Sequence, residues 1–128
     1  MHRVSTDKEK NRLYLALGKL EGAEEIAQVA AKIRLACQEL KPGFSCLTDL
    51  REYELVDETL ETRIREIQAF LVGQGLTNVV RVVKKFGTWG HVQFDKSSMN
   101  VGYHARHVNS MEEALVILDG EFDKTREE

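Results

Sequence analysis

Apolar positions along this chain fall into short runs and helical stripes that alternate from the first residues to the last. The sharpest stripe is Ile26, Val29, Ala30, Ile33, Cys37 and Leu40, whose spacings of three and four predict an amphipathic helix of about four turns. Glu24 and Glu25 at its start and Lys41 at its end carry the signs that the helix dipole favours, and Pro42-Gly43 stops it. Upstream, RLYLALGKL over residues 12–20 predicts a strand, HRVST a weaker one, and DKEKN the hairpin turn between them. Downstream, FSCLTDL and NVVRVV predict buried strands on either side of VDETLETRIREIQAFL. That helix opens at Asp57 and carries Leu60, Ile64, Ile67 and Leu71 on one face with Phe70 beside them. Its pattern leaves Glu61, Arg63, Arg65, Glu66 and Gln68 for solvent, and Gly73 and Gly75 provide its exit.

Towards the end, ARHV predicts a short strand and Ser110-Met111-Glu112-Glu113 a capping box. Met111, Ala114, Leu115 and Leu118 supply the stripe of the helix that follows. Gly120 is expected to end it, leaving EFDKTREE as a frayed tail. Residues 88–101 satisfy two periods at once. Val92 and Phe94 alternate as in a strand, whereas Trp89, Val92, Lys96 and Met99 follow helical spacing.

Two parallel strands joined by a helix form a βαβ unit, and loops at the carboxyl ends of such strands are where ligands and partners sit. The loop after Asp49 and the loop after NVVRVV are therefore expected at one end of the sheet. Composition narrows the class. With 128 residues the chain suits one domain and one core. Hydrophobic residues at 42% and charged residues at 30% are ordinary for a soluble protein, and the net charge of −3 argues against a nucleic-acid binder. No apolar run approaches the roughly 18 residues of a membrane span, and MHRVSTDKEKN is no signal peptide. These features point to a cytoplasmic protein whose two cysteines, Cys37 and Cys46, stay reduced.

The segment FSCLTDLREYELVDETL, with NVVRVV and the closing SMEEALVIL, resembles the STAS domain shared by sulfate transporters and bacterial anti-sigma factor antagonists. The likeness covers nearly the whole chain through loose motifs: a strand, Asp-Leu, a short loop and an acidic helix entry. It implies an α/β fold over residues 1–128, with a mixed sheet of four to five strands flanked by about four helices, one of them within residues 88–101. Residues 1–11 would be a weakly ordered start. In anti-sigma antagonists a serine at the start of the helix after this loop is phosphorylated. Asp57 matches the family's aspartate, but Glu58 and Thr59 stand where two serines would be. Glu58 would imitate a fixed negative charge, and Thr59 is the remaining hydroxyl.

Candidate chemistry is sparse. Asp57, Glu58 and Glu61 could do acid–base work or hold a cation, but a carboxylate at a helix start also caps it. Asp49 could meet a ligand or tie down the following loop through backbone donors. His2, His91, His104 and His107 show no helical metal-site pairing, neither cysteine lies in a CxxC, and no metal or cofactor is expected. Lys84, Lys85 and Trp89 offer positive charge and an aromatic surface beside Gly87 and Gly90, without the spacing of a phosphate-binding loop.

The leading reading is a non-enzymatic module that docks on a protein partner, an anti-sigma factor or kinase-like regulator, through the 49–59 loop. There Asp49, Arg51, Tyr53, Asp57, Glu58 and Thr59 supply charge and an aromatic anchor. The alternative is a sensor of a lipid or anionic metabolite, held between Lys84, Lys85, Trp89 and the Asp49 loop. Exposed strand edges leave self-association open.

Overall fold

The computed structural model describes residues 1–84 and 105–127. They form, in order, β1 (His2–Asp7), β2 (Arg12–Leu17), β3 (Lys19–Leu20), α1 (Ala23–Cys37), β4 (Ser45–Asp49) and β5 (Glu54–Leu55). A 3-10 turn (Glu58–Leu60), α2 (Glu61–Gly73), β6 (Asn78–Val82), β7 (Ala105–Val108) and α3 (Met111–Glu127) follow. Five strands make one mixed sheet in the order β1-β2-β4-β6-β7, and β3 and β5 pair in a separate two-stranded ribbon. β1 runs antiparallel to β2, whereas β2, β4, β6 and β7 are parallel neighbours. The structure is thus α/β, with a five-stranded mixed sheet and, among the described residues, three α-helices. The helix expected within residues 88–101 lies outside the described residues.

Alternation along the strands gives the sheet two apolar faces. Leu13, Leu15, Leu17, Cys46, Val79 and Val83 pack under Ile26, Val29, Ile33 and Cys37 of α1 and Ile64 and Leu71 of α2. Leu47, Val80 and Val82 face Ala114 and Leu118 of α3. On that second face Arg12 is 2% exposed. Its Nη2 donates to Asp119 Oδ1 at 2.7 Å and its Nη1 to Tyr14 Oη at 3.3 Å. Burial works against its charge, but these two partners more than offset that and hold the guanidinium ionised.

β1 is the weaker strand expected at HRVST, and it pairs with β2 at all six positions, from His2↔Leu17 to Asp7↔Arg12. It is also tied to the α1 side of the fold, where His2 Nδ1 lies 3.0 Å from Glu25 Oε2 and Thr6 Oγ1 donates to Glu39. Several expectations are corrected here. The strand expected over residues 12–20 breaks at Gly18, whose N–H donates to Met1 O while Lys19–Leu20 turns away to pair with β5. α1 ends at Cys37 and tightens into i→i+3 bonds through Leu40 before Pro42. α3 runs through Gly120 to Glu127, because Gly120 does not take the left-handed conformation that ends helices.

Gly75 at the exit of α2 does take it, with φ +104°, and a Cβ there would fall 2.6 Å from Pro42 Cα. The close approach lets Gly43 N–H donate to Gly75 O at 2.8 Å, joining the two helix exits below the sheet. The largest departure lies within α2. Gln68, expected in solvent, is 2% exposed and shares the buried face with Ile64 and Leu71. Its position four after Ile64 and three before Leu71 decides its direction, whatever its polarity.

Candidate functional site at the carboxyl edge of the sheet

Parallel β2, β4 and β6 bring their carboxyl ends to one edge, with Ala16, Asp49 and Val82 in register. Leu50 N–H then donates to Val82 O and Val83 N–H to Val108 O, so the chain leaves each strand under restraint. Asp49 organises the first turn of the loop. Its Oδ1 accepts from Arg51 N–H at 3.1 Å and Arg51 Nε at 2.9 Å, and its Oδ2 accepts from Arg51 Nη2 at 2.8 Å. This two-pronged pair with Arg51 holds the Asp49 carboxyl below its ordinary range, against a smaller opposing effect of burial. Of the two roles weighed for Asp49, tying down the following loop is the one the geometry displays.

Lys84 Nζ reaches Glu52 Oε1 at 3.3 Å, so the loops after β4 and β6 do meet at this edge. Lys85 and Trp89, the rest of the expected aromatic and cationic loop, lie outside the described residues. Between the start of β1 and the Asp49 loop runs a cleft of about 250 Å³ bordered by Met1, Arg3, Gly18, Asp49 and Glu52.

Tyr53 is not the exposed aromatic anchor expected of it. It is 6% exposed and belongs to the α1/α2 core, and burial raises its phenol well above the ordinary range. The cause is the β5 ribbon, since Tyr53 N–H donates to Leu50 O and the next residue pairs with Lys19, which turns the ring inward. An exposed apolar residue does stand in the loop: Val56 is 51% exposed, its N–H held by Leu20 O. The sequence signal for it was faint, one more apolar residue after Leu55.

α2 does not open at Asp57 as expected but at Glu61, without a side-chain cap, and the 3-10 turn before it is what Asp57 caps. Its Oδ1 accepts from Thr59 N–H at 3.0 Å and from Thr59 Oγ1 at 2.6 Å, and these bonds lower its carboxyl. Glu58 and Thr59 are exposed, and Glu58 projects from the start of the turn.

The other candidates are not gathered here. Cys46 is 1% exposed, and burial pushes its thiol up to about 11, which removes it as a nucleophile at neutral pH. Cys37 is buried on the same face and likewise raised by burial; both thiols are free. Among the described residues no group of three or more His, Cys, Asp or Glu side chains could hold a metal ion. Nor is any described helix long and apolar enough to cross a membrane.

What fold and edge define together is an open α/β sheet with a braced, charged loop at its carboxyl end. No family model matches the chain, and no curated protein or solved structure matches it significantly.

Proposed function

We propose that this chain is a non-catalytic docking module, a STAS-like domain of the anti-sigma factor antagonist type that lacks the usual phosphoserine. The order of its main-sheet strands and α-helices supports that reading: strand, strand, helix, strand, helix, strand, then a final strand and a capped helix, with the β3–β5 ribbon added. The observation that carries it is a loop both exposed and braced. Arg51, Glu52, Glu54, Val56, Asp57, Glu58 and Thr59 all face solvent. Their backbone is held by Leu50 and Val82, by Gly18 and Glu54, by Leu20 and Val56, and by the Asp57 cap. A surface ordered before contact loses little entropy on binding, which favours recognition.

Glu58 beside Asp57 makes the start of the turn negative, so the partner, an anti-sigma factor or kinase-like regulator, presents a cationic patch there with an apolar seat for Val56. The alternative of an anionic metabolite or lipid at Lys84, Lys85 and Trp89 is weakened by the Glu52 carboxylate, which already faces Lys84.

The test is affinity capture of the tagged chain from its own host, with partner stoichiometry measured for the unaltered chain, Glu58→Lys and Glu9→Lys. Glu9 lies in the β1–β2 turn, at the opposite end of β2. A partner held by the unaltered chain and by Glu9→Lys, but lost from Glu58→Lys, is the expected result. Equal retention by both variants ends the assignment of this surface.

A further inference from the structure

Beneath α2 lies a polar side chain that its surroundings do not satisfy. Gln68 is 2% exposed, and neither its Oε1 nor its Nε2 has a hydrogen-bond partner among the described residues. Buried polar groups are almost always paired, so an amide with both ends open calls for an occupant. Gln68 lines an interior cavity of about 30 Å³ between the sheet and the helices, together with Cys46, Thr48 and Leu71. The Thr48 hydroxyl is already engaged with Cys46 Sγ at 3.4 Å. By itself this volume admits only about one or two waters.

The cavity has a neighbour. Ile33 and Ile67 line it and also line a surface groove of about 200 Å³ between α1 and α2. The groove is apolar along Ile26 and Phe70, and its sides carry Arg34 and Arg63 against one carboxylate, Glu66. Arg34 lies over the Phe70 ring, 5.8 Å from its centre, and neither guanidinium has an ion-pair partner among the described residues. A cationic rim, apolar walls and an open amide therefore lie in sequence from surface to interior. At the ~30 Å³ that a water occupies, groove and cavity together hold about eight non-hydrogen atoms.

We infer that this groove and cavity form a binding site for a short aliphatic hydroxycarboxylate. The carboxylate pairs with Arg34 and Arg63, and the chain passes between Ile33 and Ile67 as these side chains give way. The hydroxyl donates to Gln68 Oε1 and accepts from Gln68 Nε2. A hydroxyl satisfies both ends of the amide, which a plain alkyl chain cannot do. The site is separate from the carboxyl edge and does not rest on the docking reading.

The test titrates the full, isotope-labelled chain with 6-hydroxyhexanoate and with hexanoate, following backbone and side-chain amide shifts. Saturable shifts at Ile33, Ile67 and the Gln68 side chain are expected. The hydroxy acid should bind about tenfold tighter, a difference of about 1.4 kcal/mol. Gln68→Leu should erase that preference while still binding hexanoate, and Arg34→Gln combined with Arg63→Gln should weaken both acids about tenfold. Equal affinities in the unaltered chain, a preference that survives Gln68→Leu, or no saturable shift overturns the assignment. The two-acid comparison needs no variant, so it decides the matter even where a substituted chain fails to fold.

Discussion

The carboxyl edge and the space beneath α2 treat their polar side chains in opposite ways. At the edge Asp49 is matched with Arg51, Glu52 with Lys84 and Asp57 with Thr59, on two loops that water reaches. Beneath α2, Gln68 is enclosed by Ile64, Ile67 and Leu71 with neither amide atom paired. Solvent would have satisfied the edge groups anyway, so their mutual pairing contributes shape more than stability. An amide withdrawn from water has no such alternative. The braced edge therefore suits a preformed contact surface, and the open amide suits a ligand that completes it.

The strongest way to break this contrast is to place a charge in the interior with almost no change of shape. Gln68→Glu puts a carboxylate on the buried face that also holds Arg81, and burial should outweigh that cation and raise its folded pKa well above the usual carboxylate range, a loss of about 3 kcal/mol at pH 7. The sign follows from that rise. Below the unfolded value, about 4.3, the carboxyl is neutral in both states and the penalty vanishes. The penalty then grows as pH increases towards the raised folded value. Urea unfolding at pH 7 and pH 4 checks this. A variant as stable as the parent at both would mean that bulk water or Arg81 satisfies the new carboxylate, and the contrast would fall.

How much of this was legible beforehand follows the same division. α1 buries Ile26, Val29, Ile33 and Cys37, the stripe its spacing predicts, and Asp57 acts as a cap, though of a 3-10 turn placed before α2 rather than of α2 itself. The βαβ order and the meeting of the two carboxyl-end loops were also legible, because period and chain direction determine them. The Ser110 capping box forms with a shift: Ser110 Oγ accepts from Glu113 N–H, but Glu113 reaches back to Asn109 N–H.

For Gln68 and Tyr53, polarity and aromaticity point to solvent while position in the fold turns both side chains inward. Helical spacing places Gln68 between Ile64 and Leu71, and the β5 ribbon turns Tyr53 inward. That ribbon depends on Lys19 meeting Glu54, a pairing across more than thirty residues that no local pattern announces. Buried Arg12 was hidden for a like reason, since its partner Asp119 lies at the far end of the chain.

A smaller effect sharpens the contrast from the same position. Gln68→Leu removes both unpaired amide atoms and keeps the volume close to that of glutamine. The apo protein should gain about 1 kcal/mol, seen as a higher urea midpoint with an unchanged slope. A loss of similar size would mean that the amide is satisfied within the fold, and the case for an occupant would go with it.

The smallest effect belongs to the edge. Asp49→Asn removes the charge that answers Arg51 but leaves one oxygen able to accept from Arg51 N–H. Because the pair is at the surface, the variant should lose less than about 1 kcal/mol at pH 7. The Asp49 carboxyl is held below its ordinary value by Arg51, so its contribution is fully present above the unfolded value of about 3.9. It declines as pH falls through that value and then through the lower folded one. The gap between parent and variant should accordingly close on acidification, which urea midpoints at pH 7, pH 4 and pH 2.5 would follow. A gap of several kcal/mol would instead make Asp49 part of the structural core of the edge, like Arg12 on the α3 face. The loop would then be braced for folding, and its use as a preformed contact surface would lose its physical basis.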